Sequence, residues 1–244
     1  MNDRVYIHEF IDIIGQNRAR YMHHMTANWC PIGRAERNML CYGVWATVGS
    51  TGSWPEVVNM WELPGWEGLA ANFAHELVGA GMQDPSLAQW WAEAASLRRG
   101  GEDRIVVPEP WCPTIEELTA AGVRGEAYAH ELVTLPPGGV RAFLDALAEE
   151  GRPAFEAEGL GALGAFRVAM RSDDEAVVLW TVPSFAAWAE FERAWAGGAL
   201  RRWRDRLVTM GARVRRTLLV DAPLAPLRTG RQPQVEDRLP LSEI

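Results

Sequence analysis

The sequence predicts an α+β fold in which one βαββαβ unit occurs twice in tandem, the two units closing into an intramolecular α/β barrel of two antiparallel sheets. Three observations carry that expectation. Tyr6-Ile7-His8-Glu9-Phe10 returns as Tyr128-Ala129-His130-Glu131-Leu132. The run from Glu56 to Trp66 returns, with its Glu, Trp and Pro in phase, from Glu175 to Phe185. Weaker echoes keep the same order, Leu40–Trp45 with Leu163–Val168 and Leu87–Trp90 with Leu200–Trp203, while the offset shrinks along the chain as it does when loops are trimmed and elements kept.

The elements follow in order. Val5 to Ile14 alternates and is rich in β-branched residues, which predicts a strand, and Gly15-Gln16-Asn17 opens a helix from Arg18 to Trp29. Cys30-Pro31-Ile32-Gly33 reads as a loop. Leu40 to Val48 and Glu56 to Leu63 form a hairpin across the turn residues Gly49 to Ser53. Pro64-Gly65 stops that strand; helices are expected from Trp66 to Ala80 and from Ser86 to Leu97, and a short strand from Arg104 to Val107. The second unit reads as a strand from Ala127 to Leu135, a helix from Gly139 to Glu150, strands at Leu163–Arg171 and Glu175–Val182, helices from Ser184 to Leu207, and a strand from Val214 to Val220. The units are therefore 1–107 and 126–221. A Pro-rich linker, 108–125, separates them, and a tail with four prolines, 222–244, reads as a strap or as disorder.

A βαββαβ unit is the ferredoxin-like arrangement, a four-stranded antiparallel sheet with its helices on one face. Pairing the two bare faces hides both. With its two Tyr-x-His-Glu strands and the strand ends Trp61-Glu62 and Trp180-Thr181, the chain resembles the dimeric α/β-barrel superfamily, and within it the NIPSNAP-type proteins, whose first strand carries a Tyr-Glu-Leu-Arg-like stretch. Ile11 and Val133 stand where relatives often place Arg. The resemblance implies a small-molecule enzyme without an organic cofactor: an isomerase, cyclase, dehydratase or cofactor-free monooxygenase acting on apolar or polyketide-like compounds. It implies two alternatives as well. One is a non-catalytic NIPSNAP-like binding or scaffold protein; the other is a haem or His-ligated metal enzyme, since tandem barrels of the chlorite dismutase and aldoxime dehydratase groups hold haem through one histidine.

Composition excludes several classes. All 24 basic residues are Arg, so Schiff-base, pyridoxal-phosphate and P-loop chemistry have no lysine. A net charge of −8 argues against nucleic acid or an anionic membrane as the main partner. Three cysteines without CxxC spacing point away from a zinc site or a disulfide framework, and the absence of a long apolar run points to a soluble, cytoplasmic protein, with self-association left open. Gly159-Leu160-Gly161-Ala162-Leu163-Gly164 matches GxGxxG but enters a strand instead of opening a helix, the wrong context for a dinucleotide.

Candidate chemistry then rests on histidine. Alternation places Tyr6, His8 and Phe10 on one face of the first strand and Ile7, Glu9 and Ile11 on the other. A histidine facing a cavity exchanges protons at cellular pH. His8 and His24 are the catalytic candidates, His24 sharing a helix side with Asn28; the alternative for each is a hydrogen-bonded packing residue. His75 belongs to no HExxH motif. Tyr6, Asn28, Trp29, Tyr42, Trp45, His75 and Trp91 are the substrate-binding candidates, the tryptophans among them because they lack a tryptophan at the repeat-related position. No metal set is expected. The pocket is expected between the sheet and the helices of the first repeat.

Overall fold

The computed structural model describes residues 2–244. Eight strands form one closed barrel: β1 (Val5–Ile13), β2 (Leu40–Thr47), β3 (Glu56–Leu63), β4 (Arg98–Pro108), β5 (Ala127–Thr134), β6 (Gly161–Val168), β7 (Glu175–Val182) and β8 (Arg213–Asp221). Their order around the barrel is β1-β3-β2-β8-β5-β7-β6-β4. Each half has the same internal order, β4-β1-β3-β2 and β6-β7-β5-β8 read from opposite edges, all antiparallel. The expected α+β barrel of two ferredoxin-like sheets is the observed fold.

The two sheets meet at short seams. β2 pairs β8 over Trp45↔Asp221 to Thr47↔Leu219, and β4 pairs β6 over Val106↔Val168 to Pro108↔Phe166. Both halves carry a register shift at the same place, between Cys41 and Gly43 and between Ala162 and Gly164. Glycine is required there: a Cβ on Gly43 would lie 2.0 Å from the Trp45 ring, and one on Gly164 would lie 2.6 Å from Phe166.

Three apolar layers result. Between the sheets, Tyr6, Phe10, Tyr42, Trp45, Tyr128 and Phe166 fill the barrel with Val58, Met60, Leu163 and Leu179. Outside each sheet lies a helix-covered core. The first is covered by α1 (Arg18–His23), α2 (Cys30–Arg37), α3 (Gly65–Glu76) and α4 (Ala88–Leu97), the second by α6 (Val140–Ala146), α7 (Arg152–Ala157), α8 (Phe185–Ala194) and α9 (Gly198–Thr209).

Four local expectations differ from the structure. The first helix runs on through the expected loop: α1 passes into a π-helical segment, His24–Trp29, and then into α2, with Pro31 in its first turn, where a missing N–H costs nothing. The second unit repeats this, with a π-helical segment at Leu147–Gly151 and Pro153 at the start of α7. β4 begins at Arg98, so the glycines before Arg104 are strand. The linker holds α5 (Ile115–Ala120), capped by Thr114 and Glu117. The tail is a strap on its own chain. The Gln232 side chain accepts from the Cys41 N–H and donates to its carbonyl (3.0 and 2.8 Å), and Arg238 donates to the carbonyls of Ala27 and Asn28. Among the described residues no helix is long and apolar enough to cross a membrane.

On the outer face of the second sheet, Glu131 accepts from the Trp180 indole (3.0 Å) and pairs with Arg216 (2.7 Å), which lies directly opposite it in the β5–β8 register. Arg216→Met leaves that buried carboxylate uncompensated. Equilibrium urea denaturation is expected to show a loss of about 3 kcal/mol, the lower end of the cost of orphaning a buried ion-pair partner, because Arg216 keeps some exposure.

Candidate functional site

The structure separates the sequence-derived candidates by sheet face. His8 and Tyr6 point into the barrel. The Nε2 atoms of His8 and His130 are 2.8 Å apart, so one ring donates to the other, and the rings stack at 5.0 Å. Burial, with the nearby His130, Arg104 and Arg215, holds His8 well below its ordinary value; His130 is pushed down to about 3 by burial and the same arginines. The pair is neutral at cellular pH, wholly buried, and ties one sheet to the other. Tyr6 donates to Glu62 (3.0 Å) and Tyr42 to the Leu163 carbonyl (3.1 Å), while Trp45 packs against both Tyr42 and Tyr128. None of these lies beside an opening.

His24 sits under α4. Its ring stacks on Trp90 at 4.8 Å, its Nε2 bonds the Trp90 carbonyl (3.2 Å) and its Nδ1 bonds Asn28 (3.1 Å). Both nitrogens are engaged with its own framework, and burial lowers its pKa. His75 is half exposed and bonds Asp84 (3.1 Å). Glu36, His75 and Asp84 bring donor atoms within 4.8 Å of one another, but Asp84 Oδ2 also receives Arg37 at 3.4 Å, so a guanidinium already supplies positive charge to this carboxylate.

A cavity of about 530 Å³ lies where the pocket was expected, between the outer face of the first sheet and its helices. That is an ordinary size for a small-molecule site. Trp29 and Trp91, of the candidates, line it, together with Trp61, Trp90, Phe73 and Leu77. Its polar groups are Glu9, Asn72, Glu76, Arg98, Asp103 and Arg104. Tyr6, His8, His24, Asn28, Tyr42, Trp45 and His75 do not line it.

The floor is built by strand register. Glu9 faces outward between Ile7 and Ile11, as alternation dictates, opposite Asn59 of β3 on one side and Asp103 of β4 on the other. Glu9 Oε2 accepts from Asn59 (2.8 Å) and from the Trp61 indole (2.9 Å), and Asn59 also donates to Tyr21 (2.9 Å). Both donors land on one oxygen, which leaves Oε1 for exchange with the cavity. Burial first, then the charge of Asp103, pushes the Glu9 carboxyl up to about 7 against those two bonds. Asp103 is raised too, chiefly by partial burial, with Arg98 and Arg104 pulling the other way.

The second half of the barrel offers the contrast. There Glu131 faces Val178 and Arg216, where Glu9 faces Asn59 and Asp103. The second half has an acid–arginine pair where the first has an acid–acid pair. The space above is closed in the second copy: two residues beyond Pro153, Phe155 stacks on Trp180 at 4.2 Å, and Arg216 lies 4.4 Å from the Trp195 ring. Two residues beyond Pro31 stands Gly33, so nothing from that helix position covers Trp61. Instead Trp29 tilts against Trp90 at 4.9 Å and becomes a wall. Gly100 and Gly101 open the rim, and a Cβ on Gly101 would meet the Phe10 carbonyl at 2.4 Å.

Sequence reasoning missed Glu9, Asp103 and Arg98. Glu9 lies inside the Tyr-x-His-Glu motif, on the face opposite His8. Aligning the final strands of the two units, Asp103 against Arg216, was the signal that would have found the pair.

The Glu9 carboxyl is expected to titrate near neutral pH. A carbon-13 titration of labelled Glu side chains should show one carboxyl with a midpoint near 7, and Asp103→Asn should move it down because a repelling charge is removed. Since the folded value exceeds the unfolded one, this group's contribution to stability is full at low pH and is lost as pH rises towards 7; Glu9→Gln should flatten that slope.

No family model matches the chain, and no curated protein sequence matches it. Solved structures do. An anthrone oxidase-like protein superposes with a TM-score of 0.61 at 11% identity, covering 90% of this chain and 92% of that one. A candidate monooxygenase from Lactobacillus acidophilus superposes with a TM-score of 0.57 at 9% identity, covering 91% and 97%. A protein assigned as a candidate chlorite dismutase superposes at 0.50 and 12% identity, covering 93% and 98%. Haem, which the sequence resemblance raised, requires an iron-ligating His, Cys or Tyr side chain in most such sites; among the described residues none lines this cavity, so its donor set does not fit haem. The chain is similar to these proteins over nearly its whole length, and what it shares with them is the dimeric α/β-barrel fold.

Proposed function

We propose that the protein is a small-molecule enzyme that moves a proton on an apolar, ring-bearing substrate, with Glu9 as the general base and acid and no organic cofactor in the step. The observation that carries this is the opposition of Glu9 and Asp103 on the floor of an indole-walled cavity, at the position where the second repeat keeps a carboxylate–arginine pair. A carboxyl near 7 is matched to proton exchange at cellular pH. Asn59 and Trp61 fix Oε2, so Oε1 approaches the substrate in one orientation. Removal of a proton from carbon beside a carbonyl leaves an enolate, the common first step of isomerases, cyclases and cofactor-free oxygenases. The shared fold with an anthrone oxidase-like protein and with candidate monooxygenases supports this class of substrate.

The proton carrier in this reading is a carboxyl group and not a histidine, because His8 is sealed in the barrel and His24 is spent on Trp90 and Asn28. NIPSNAP kinship rests on the strand motifs alone. A non-catalytic scaffold accounts for the filled barrel and the filled second repeat, but not for an open cavity with two facing carboxyls.

Deuterium exchange at the ring methylene of anthrone, followed by proton NMR, tests the reading. The protein is expected to accelerate exchange over buffer, and Glu9→Gln to lose about 10²- to 10⁴-fold of that acceleration, the usual share of a positioned general base. Equal rates for wild type and Glu9→Gln would sink it.

A further inference from the structure

Arg98 stands at the junction of helix, strand and cavity without a carboxylate partner of its own. It caps α4 and enters β4, lines the cavity, and lies 5.6 Å over the Trp91 ring, yet it forms no ion pair among the described residues. Other arginines near this cavity are committed: Arg37 to Glu76 and Asp84, Arg104 to Glu102 and Glu175. Its charge pulls down both carboxyls of the site, Glu9 and Asp103, and also reaches Tyr21 beneath the floor and His24 under α4. The adjoining Gly100 and Gly101 carry no side chain to cover it.

We propose that Arg98 holds the oxygen on which negative charge collects, and that the ligands of this cavity are weakly acidic aromatic hydroxy compounds, phenols and enols, taken up neutral and ionised inside. This rests on the reading of Glu9 as the proton carrier. The step balances without any co-reactant: the O–H or C–H bond of the ligand breaks, its proton passes to Glu9 Oε1, and the electron pair left behind is delocalised onto the ligand oxygen facing the guanidinium. Neutral uptake keeps the charge of the cavity unchanged. A carboxylate ligand would instead add an anion beside Asp103, and an ammonium ligand would be repelled by Arg98. The flat indoles of Trp29, Trp61 and Trp91 suit a ring system, and a guanidinium is the natural donor to an oxyanion because it presents several N–H groups in one plane.

The probe is 6-cyano-2-naphthol, whose anion absorbs at longer wavelength than the neutral form. In the wild-type protein the bound naphthol is expected to ionise at a pH at least about one unit lower than in buffer, a tenfold shift in its equilibrium. Arg98→Gln should abolish that shift while melting at an unchanged temperature, and Arg98→Lys should restore part of it, since charge is kept but the planar fork is lost. A bound naphthol that stays protonated in the wild type overturns the proposal, as does tighter binding of 2-naphthoate or 2-naphthylmethylammonium than of the naphthol. If Glu9-dependent anthrone exchange is present but no spectral shift is seen, Arg98 alone is misassigned; if exchange itself is absent, the reading of Glu9 falls.

Discussion

The structure turns on the register between the first and last strands of each ferredoxin-like unit. Because β1 pairs β4 with Glu9 against Asp103, and β5 pairs β8 with Glu131 against Arg216, the identity of one cross-strand neighbour decides whether a carboxylate is neutralised or faces another acid. Cross-strand neighbours stand about 5 Å apart, close enough for charges on a half-buried face to act strongly on each other. The indole bond from Trp61 or Trp180 is common to both copies. What differs is the partner across the strand and the ring above it.

That difference leaves the carboxylate compensated in one half and uncompensated in the other. In the second repeat every group around Glu131 compensates it: Arg216 at 2.7 Å, the Trp180 indole, and Phe155 closing the space over the indole. In the first, Gly33 replaces the ring, Trp29 moves to the wall, and a carboxyl is kept in a poorly solvated place beside another acid. Such an arrangement is unfavourable for folding, and the barrel tolerates it because the other half and the shared interior remain packed.

Much of this was legible in the sequence, and the illegible parts have specific causes. Period-two alternation correctly put Tyr6 and His8 on one face and Glu9 on the other, since side-chain direction in a strand is a local property. Which face carries the cavity is not local. It depends on the two sheets closing their Tyr-x-His faces together, which buries His8 against His130 across nearly half the chain. Pro31 was read as a break because proline usually ends helices, whereas after a π-helical turn it begins one. Asp103 was hidden because Gly100-Gly101-Glu102 reads as a loop, and only pairing with β1 makes it strand.

The two histidines and the two glutamates of the repeat are neighbours in sequence and opposites in function, and the geometry of a closed barrel explains why. His8, pointing inward, meets its counterpart in the other sheet, and the two rings share a hydrogen bond at 2.8 Å. Changing one would orphan the other, which costs about 1–3 kcal/mol for a buried polar group. A residue pointing outward meets only its own helices and strands. Glu9 therefore has Asn59 and Asp103 across its strands and Arg98 in the same cavity, whereas Glu131 has Arg216, and neither set touches the other. In this barrel the outward faces are the ones that can differ independently, and the open cavity lies on one of them.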